Sequence, residues 1–221
     1  VPPRTQRRAE ALSRERIVAA AVELLDVAGE DGLMFRELSA RLRTGPGAIY
    51  WHVANKGELL VAATDAVLAD ATAVEVAGDS PEDEIRAVAL GLFDAIDQHP
   101  WLSSQLSRSP WRSVTLQIFE RIGQRIQALG VPDTARFTSV SALMVYILGA
   151  AGQNAANAAA ARALSPADRR TFLVTESDVW ENLDPDAYPF IRDIAGQLRD
   201  HDDRAQFLAG VDLILAGITS R

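Results

Sequence analysis

The chain of 221 residues contains no cysteine, three histidines and only 6% aromatic residues. Without cysteine there are no disulfides, no thiolate zinc sites and no cysteine nucleophile, which suits a reducing compartment. The sequence holds no H-E-x-x-H, G-x-S-x-G or P-loop spacing, so the common signatures of zinc, serine and phosphate chemistry are missing. The first segment, VPPRTQRRAEALSRE, is charged with no apolar stretch behind it and does not read as a signal peptide. The longest strongly apolar run, about Val140 to Ala151, is too short to span a bilayer. These absences predict a cytoplasmic protein with no membrane partner, no cofactor, no metal and no enzymatic role.

What is present is helix-forming sequence with 48% hydrophobic residues and a net charge of −8. The charge is uneven. Residues 1–57 carry nine basic and seven acidic groups, a net +2, which leaves −10 for the remainder. Charges farther than about 10 Å are largely screened at 0.1 M salt, so an acidic body need not stop a mildly basic head from meeting phosphates. The periodicity predicts helices throughout and no strand longer than a few residues. Ile17, Ala20, Ala21, Leu24, Leu25 and Ala28 mark a first helix with Ser13 as its cap and Gly29 as its stop. Short segments follow at Phe35–Leu42 and Gly45–His52. Asn55 caps a helix from Lys56 toward Ala77. Gly78-Asp-Ser-Pro81 is a break with Pro81 opening the next helix, whose stripe is Ile85, Val88, Ala89, Leu92, Phe93 and Ile96. Further helices are expected at Trp101–Leu106, around Ile118–Leu129, Ala135–Leu164, Asp186–Leu198 and Asp203–Thr219, with a polar segment around Phe172 and Trp180.

Two short helices joined by a tight turn, after a longer amphipathic one, suit a three-helix head. The second short helix of such a pair fits the DNA major groove. Leu38, Leu42, Ile49 and Val53 are expected in its core. The run Ile49-Tyr50-Trp51-His52-Val53, then Asn55-Lys56 and Leu59-Leu60, closely resembles the signature of the tetracycline-repressor family. Farther on, His99-Pro100-Trp101-Leu102 matches more loosely. The resemblance implies an all-α fold: a three-helix helix-turn-helix domain (1–57, with 1–12 as a basic arm) and a larger ligand-binding and dimerisation domain (58–221). It further implies a repressor that binds a palindromic double-stranded DNA operator as a homodimer and is released by a small, largely apolar inducer.

The implied DNA-binding residues are Arg36, Arg43, Thr44, Gly45, Pro46, Gly47, Tyr50, Trp51, His52 and Lys56. Lys56, Tyr50 and His52 suit phosphate oxygens, and Trp51 suits the sugar-phosphate backbone. Arg36 suits a guanine edge, where bidentate pairing is worth roughly 1–3 kcal/mol of discrimination. Pro46 and Gly47 leave room for close approach. Three positions depart from the family pattern. Arg43 stands where the turn usually has Gly, Met34 where Ser or Thr usually caps the second helix, and Ala48 where a hydroxyl residue often stands. In the body, Phe93, Trp101, Trp111, Phe119, Tyr146, Gln153 and Asn157 are the expected ligand-binding residues. Gly149, Gly152, Ala156, Phe207, Val211, Ile214 and Ile218 are the expected dimer interface. A metal-held inducer is disfavoured, because tetracycline repressors use histidines of the body and no His lies between Val53 and Gln98. Two other functions fit the same residues: a helical small-molecule carrier, and a constitutive DNA-binding protein without inducer.

Overall fold

The structure, a computed structural model, describes residues 12–72, 80–108, 113–161 and 166–220. Among them there are helices and no strands. The head consists of α1 (Arg14–Gly32), α2 (Phe35–Leu42) and α3 (Pro46–Tyr50). Helix α4 (Lys56–Thr72) leads into a body of α5 (Pro81–Gln98), α6 (Trp101–Arg108), α7 (Ser113–Ala128), α8 (Asp133–Ala161) and α11 (Asp203–Thr219). Between α8 and α11 the chain forms a hairpin of α9 (Pro166–Glu181) and α10 (Pro189–Ile194), followed by a 3₁₀ turn at Ala195–Leu198.

Local chemistry sets the helix starts. Ser13 accepts from the Arg16 N–H at 3.3 Å, Ser80 from the Asp83 N–H at 3.2 Å and Asp202 from the Ala205 N–H at 2.7 Å. At α4 the cap is reciprocal: Asn55 Oδ1 accepts from the Glu58 N–H at 2.9 Å, and Glu58 Oε2 accepts from the Ala54 N–H at 2.8 Å. That backbone bond, with help from Arg14, holds the Glu58 carboxyl below its ordinary pKa. Met34 caps α2 with no side-chain hydrogen bond, as its residue type requires. Several boundaries differ from the periodicity. Gly29 does not stop α1; at φ 63° and ψ −166° it kinks the helix, which runs on to Gly32. Residues 184–188 are a turn in place of the first part of the expected Asp186–Leu198 helix, because Asp184 Oδ1 captures the N–H groups of Asp186 and Ala187, both at 2.9 Å.

One core runs through head and body. Ile17, Ala21, Leu25, Leu38, Ile49, Val53 and Leu59 bury in the head, each 0–1% exposed. A fully buried side chain of the Leu or Ile kind contributes about 1.5–3 kcal/mol, so a few of them stabilise so small a head. In the body the α5 stripe of Ile85, Val88, Ala89, Leu92, Phe93 and Ile96 is buried throughout. It packs on α8, whose Leu143, Ile147, Ala151 and Ala155 are buried. The alanine-rich continuation past Ala151 makes α8 longer than its apolar core suggests. By length and composition alone, Asp133–Ala158 is long and apolar enough to cross a membrane. In the fold α8 is the helix on which α5, α7 and α11 pack.

Two backbone positions test this description. A Cβ at Gly29 would meet nothing within 4 Å, yet its backbone angles belong to a region that is nearly exclusive to glycine. Gly29→Ala is therefore expected to destabilise the protein by about 1–3 kcal/mol in urea unfolding, from backbone strain alone. Arg43, at φ 52° and ψ 47°, is the non-glycine residue with positive φ among the described residues. Arg43→Gly is expected to shift the urea midpoint upward, by on the order of 1 kcal/mol, because glycine adopts that conformation without a steric cost.

Candidate nucleic-acid interface and ligand cleft

The turn between α2 and α3 is closed by backbone bonds from Arg43 N–H to the Ala40 carbonyl (3.2 Å) and from Thr44 N–H to the Ser39 carbonyl (3.0 Å). It places α3 with Ile49 fully buried and Gly45, Pro46, Gly47, Tyr50 and Trp51 exposed. A Cβ at Gly45 or Gly47 would meet open space. Internal packing therefore does not demand glycine there, and the missing side chains leave a shallow outer face. Trp51 is 90% exposed. Tyr50 is half exposed and stacks flat on Phe35, ring centroids 4.6 Å apart. That stack holds the phenol ring on the same side of the head as α2. Arg36 also stands outward, 85% exposed, with a loose contact to the neighbouring Glu37 at 3.3 Å. Arg43 is exposed, while Thr44 and His52 are half-buried at the edge of this surface.

Other head cations have internal partners. Arg14 bonds the His52 carbonyl at 2.7 Å and Glu58 at 2.8 Å, and Arg41 pairs with Glu23. Lys56, half-buried at the start of α4, has an internal partner as well. Its ammonium turns inward and donates to the Glu30 carbonyl, tying the start of α4 to the end of α1. The lysine satisfies a helix-end carbonyl, a local need that a sequence pattern does not separate from phosphate binding.

Four of the expected ligand residues, Phe93, Tyr146, Gln153 and Asn157, line one cleft of about 450 Å³ between α5, α8 and α11. Its floor is aromatic. Phe207 lies 4.6 Å from Phe93 and 5.8 Å from Tyr146, centroid to centroid. The Tyr146 hydroxyl donates to the Phe207 carbonyl at 3.1 Å, and burial pushes the phenol pKa up. The rim is polar: Gln153 donates to Asn157 at 3.0 Å, and His201 meets Asp203 at 2.9 Å. Gly210 is required here, because a Cβ would lie 1.9 Å from the Tyr146 hydroxyl. Trp101 and Phe119 do not join the cleft. Trp101 is buried with its indole N–H on Asp26 at 2.8 Å, and Phe119 packs toward Phe137. Trp111 lies outside the described residues. Among the described residues no group of three or more His, Asp or Glu is placed to hold a metal.

A second cleft, about 1010 Å³, lies between α1, α4 and α5 at the head–body junction. None of the expected ligand residues lines it.

The expected interface residues divide. Phe207 and Val211 turn into the chain's own core, 3% and 0% exposed, because the apolar side of α11 packs on α5 and α8. Ile214 and Ile218 are half-buried against the same core, and Gly152 lies against Ser103. Gly149 and Ala156 do face outward. They share the outer face of α8 with Ala142 and Val145, beside exposed Ala209, Leu213, Ala216 and Gly217 of α11. Val145 and Leu213 are 73% and 76% exposed. Helical spacing marks an apolar α11 nearly all round; only packing shows that its outward side is the one that carries Ala209, Leu213, Ala216 and Gly217.

The chain matches two family models. Residues 17–63 match the bacterial regulatory proteins of the tetR family, and residues 77–221 match the tetracyclin repressor-like C-terminal domain. It is similar to the transcriptional regulator SCO7222 of Streptomyces coelicolor, a TetR. Identity is 60%, coverage 95% of this chain and 99% of that one, and the TM-score 0.86. It is 29% identical to the HTH-type transcriptional repressor DrrR1 of Streptomyces coeruleorubidus over 171 residues, 76% of this chain and 60% of DrrR1. BioQ, solved with its double-stranded DNA operator, is 26% identical with a TM-score of 0.61, covering 96% of this chain and all (100%) of BioQ. The chain spans between 46% and 60% of the length of the first curated relatives it matches. With both its head and its body matched, the chain belongs to the tetR family of bacterial regulatory proteins.

Proposed function

We propose that this protein is a ligand-responsive transcriptional repressor that binds a palindromic operator as a homodimer. The observation that carries this reading is the outer face of the head, where Arg36, Tyr50 and Trp51 stand exposed around a shallow α3. A tryptophan 90% exposed contributes little to the fold, whereas against DNA it covers the sugar-phosphate backbone. BioQ, of the same fold, engages its operator as double-stranded DNA. With Lys56 turned inward, the proposed contacts are Arg36, Arg43, Tyr50 and Trp51, with Thr44 and His52 at the edge and the Gly45-Pro46-Gly47 backbone in close approach.

The apolar outer face of α8 and α11 supports a twofold dimer, which places two heads on two half-sites. The aromatic cleft opens toward this face through Gln153, Asn157 and Leu213, so a partner subunit would cover its mouth. A small molecule with an apolar body and a few polar groups fits its aromatic floor and amide rim. Its occupant would press on Phe93 of α5. Two residues earlier, at Gly91, the α5 backbone approaches α4 so closely that a Cβ would lie 2.4 Å from the Ala71 carbonyl oxygen. Motion of α5 is thus passed to α4, which carries the head. By linkage, DNA weakens inducer binding by the factor by which inducer weakens DNA binding.

Selection from a pool of random duplexes is expected to enrich a palindrome. Arg36→Ala and Trp51→Ala are expected to unfold at the parent temperature. Arg36→Ala should relax one symmetric base pair, and Trp51→Ala should weaken all sequences alike. No enrichment by the parent protein at moderate salt would rule out the repressor reading. At the cleft, Gly210→Ala is expected to displace Tyr146 and cost about 1–3 kcal/mol in urea unfolding, the usual range for an overpacked site. An unchanged midpoint would mean that Tyr146 is not held where the cleft requires it.

A further inference from the structure

The head is joined to the body by more than the covalent link through α4. Near the end of α1, two carboxylates stand on either side of the Gly29 kink, and both turn to the segment that forms α6. Asp26 Oδ1 accepts from the Trp101 indole at 2.8 Å and meets His99 Nδ1 at 2.7 Å. Glu30 Oε1 accepts from the Ser104 hydroxyl at 2.6 Å and from the Gln105 amide. Glu30 Oε2 accepts from Arg108 at 2.7 Å. The Glu30 carbonyl takes the Lys56 ammonium, so the same residue is tied to α4 and to α6. Most of these groups are largely shielded: the Asp26, Glu30 and His99 side chains are 32%, 21% and 21% exposed. Hydrogen bonds to a charged group are stronger than neutral ones and lose less to water when shielded. Partial burial opposes ionisation of Glu30, but the bonds from Ser104, Arg108 and Gln105 outweigh it and hold its pKa below the ordinary value.

Stability alone does not call for this arrangement. The apolar core already runs through head and body, and α4 is capped without help from Asp26 or from the Glu30 carboxylate. What the five side-chain contacts add is direction. They fix the kinked end of α1 against α6, and with it the angle of α2 and α3 to the body. We propose that Asp26 and Glu30 are positioning residues, a two-carboxylate clasp on α6 that sets the distance between the two DNA-reading heads of the dimer. The clasp acts on half-site spacing and not on base readout, since neither carboxylate is on the outer face of α3. This rests on the reading of the chain as a dimeric DNA-binding protein. His99 also lines the larger cleft between α1, α4 and α5, so the clasp stands at the edge of the space that opens if head and body part.

The test uses the full chain. An operator selected by the parent protein is rebuilt as two fixed half-sites with spacers of varied length. The parent is expected to prefer one spacer. Asp26→Asn/Glu30→Gln keeps the size of both side chains and should preserve the base preference within each half-site. Its preference for the best spacer over the next should fall about tenfold, the effect of losing one net charge-assisted hydrogen bond. The milder Ser104→Ala and Arg108→Ala variants, on the body side of the clasp, should shift the profile in the same direction. A second readout needs no DNA. Because the chain has no cysteine, spin labels at Ala40→Cys on the head and Gln127→Cys on the body are unique, and dilution with unlabelled chain isolates pairs within one subunit. The distance distribution is expected to be narrow in the parent and broadened in the clasp variants. An unchanged distribution with an unchanged spacer profile overturns the clasp, as does a uniform loss of affinity that leaves the spacer ratio intact. If the parent selects no DNA sequence, the repressor reading fails while the label distances still decide whether the carboxylates fix the head.

Discussion

Helix α4 belongs to two packed regions at once, and the rest of the molecule is arranged around that constraint. Its first turns bury Leu59, Leu60 and Ala63, the side that packs on α1. Farther along, Leu68 is buried, and Ala71 lies where α4 packs on α5. The contact at Gly91 shows how tight that second packing is, since backbone meets backbone with no side chain between them. A helix held this way transmits displacement. Interiors are close-packed and do not compress, so one end does not shift without the other. The reciprocal cap at Asn55 and Glu58, with Arg14 reaching across from α1, ties down the head end of α4.

Much of this architecture is legible in the sequence because it is local. Ser13, Asn55 and Pro81 announce helix starts, and the α5 stripe from Ile85 to Ile96 has a spacing that only a buried helix face explains. Phe35–Leu42 and Asp203–Thr219 fall where the periodicity places them. The strain at Arg43 is also readable, since the turn needs a left-handed residue whatever side chain occupies it. Gly29 is half legible: its freedom marks a break, but only the structure shows that the helix resumes past it. The end of α8 is legible too, with the helix expected over Ala135–Leu164 described as far as Ala161. Apolar content fades after Ala151, while alanine continues to favour helix for ten residues more.

What is not legible depends on partners far apart in the chain. Lys56 reads as a phosphate ligand, and nothing in the sequence announces its bond to the Glu30 carbonyl. Trp101 reads as a lining aromatic until its indole is found on Asp26. In both cases the residue type suits either role, and the deciding partner is supplied by the packing of α1. Phe207 and Val211 illustrate a second limit. On a helix apolar nearly all round, periodicity does not say which side faces the chain's own core and which faces outward. The aromatic cleft falls between these cases. Phe93 and Tyr146 stand apart from plain core in the sequence only beside Gln153 and Asn157, polar groups one helical turn apart on an otherwise apolar helix.

The same reasoning bears on how the head would read DNA. Met34 offers no cap, Ala48 no hydroxyl and the two exposed glycines no side chain, so α3 carries little that could hydrogen-bond a base edge. Its outward groups are Tyr50 and Trp51, suited to the backbone, with Arg36 in the first turn of α2 and Arg43 in the connecting turn beside it. A head with few base contacts relies more on where it is held: phosphate contacts fix register but carry no sequence information directly. Discrimination then comes from the shape and deformability of the site and from the separation of its halves. In such a protein the geometry between head and body is itself part of the specificity. On the proposed reading, the groups that set that geometry, α4 through its shared packing and α1 through its two carboxylates on α6, would matter to recognition although they lie off the outer face of the head.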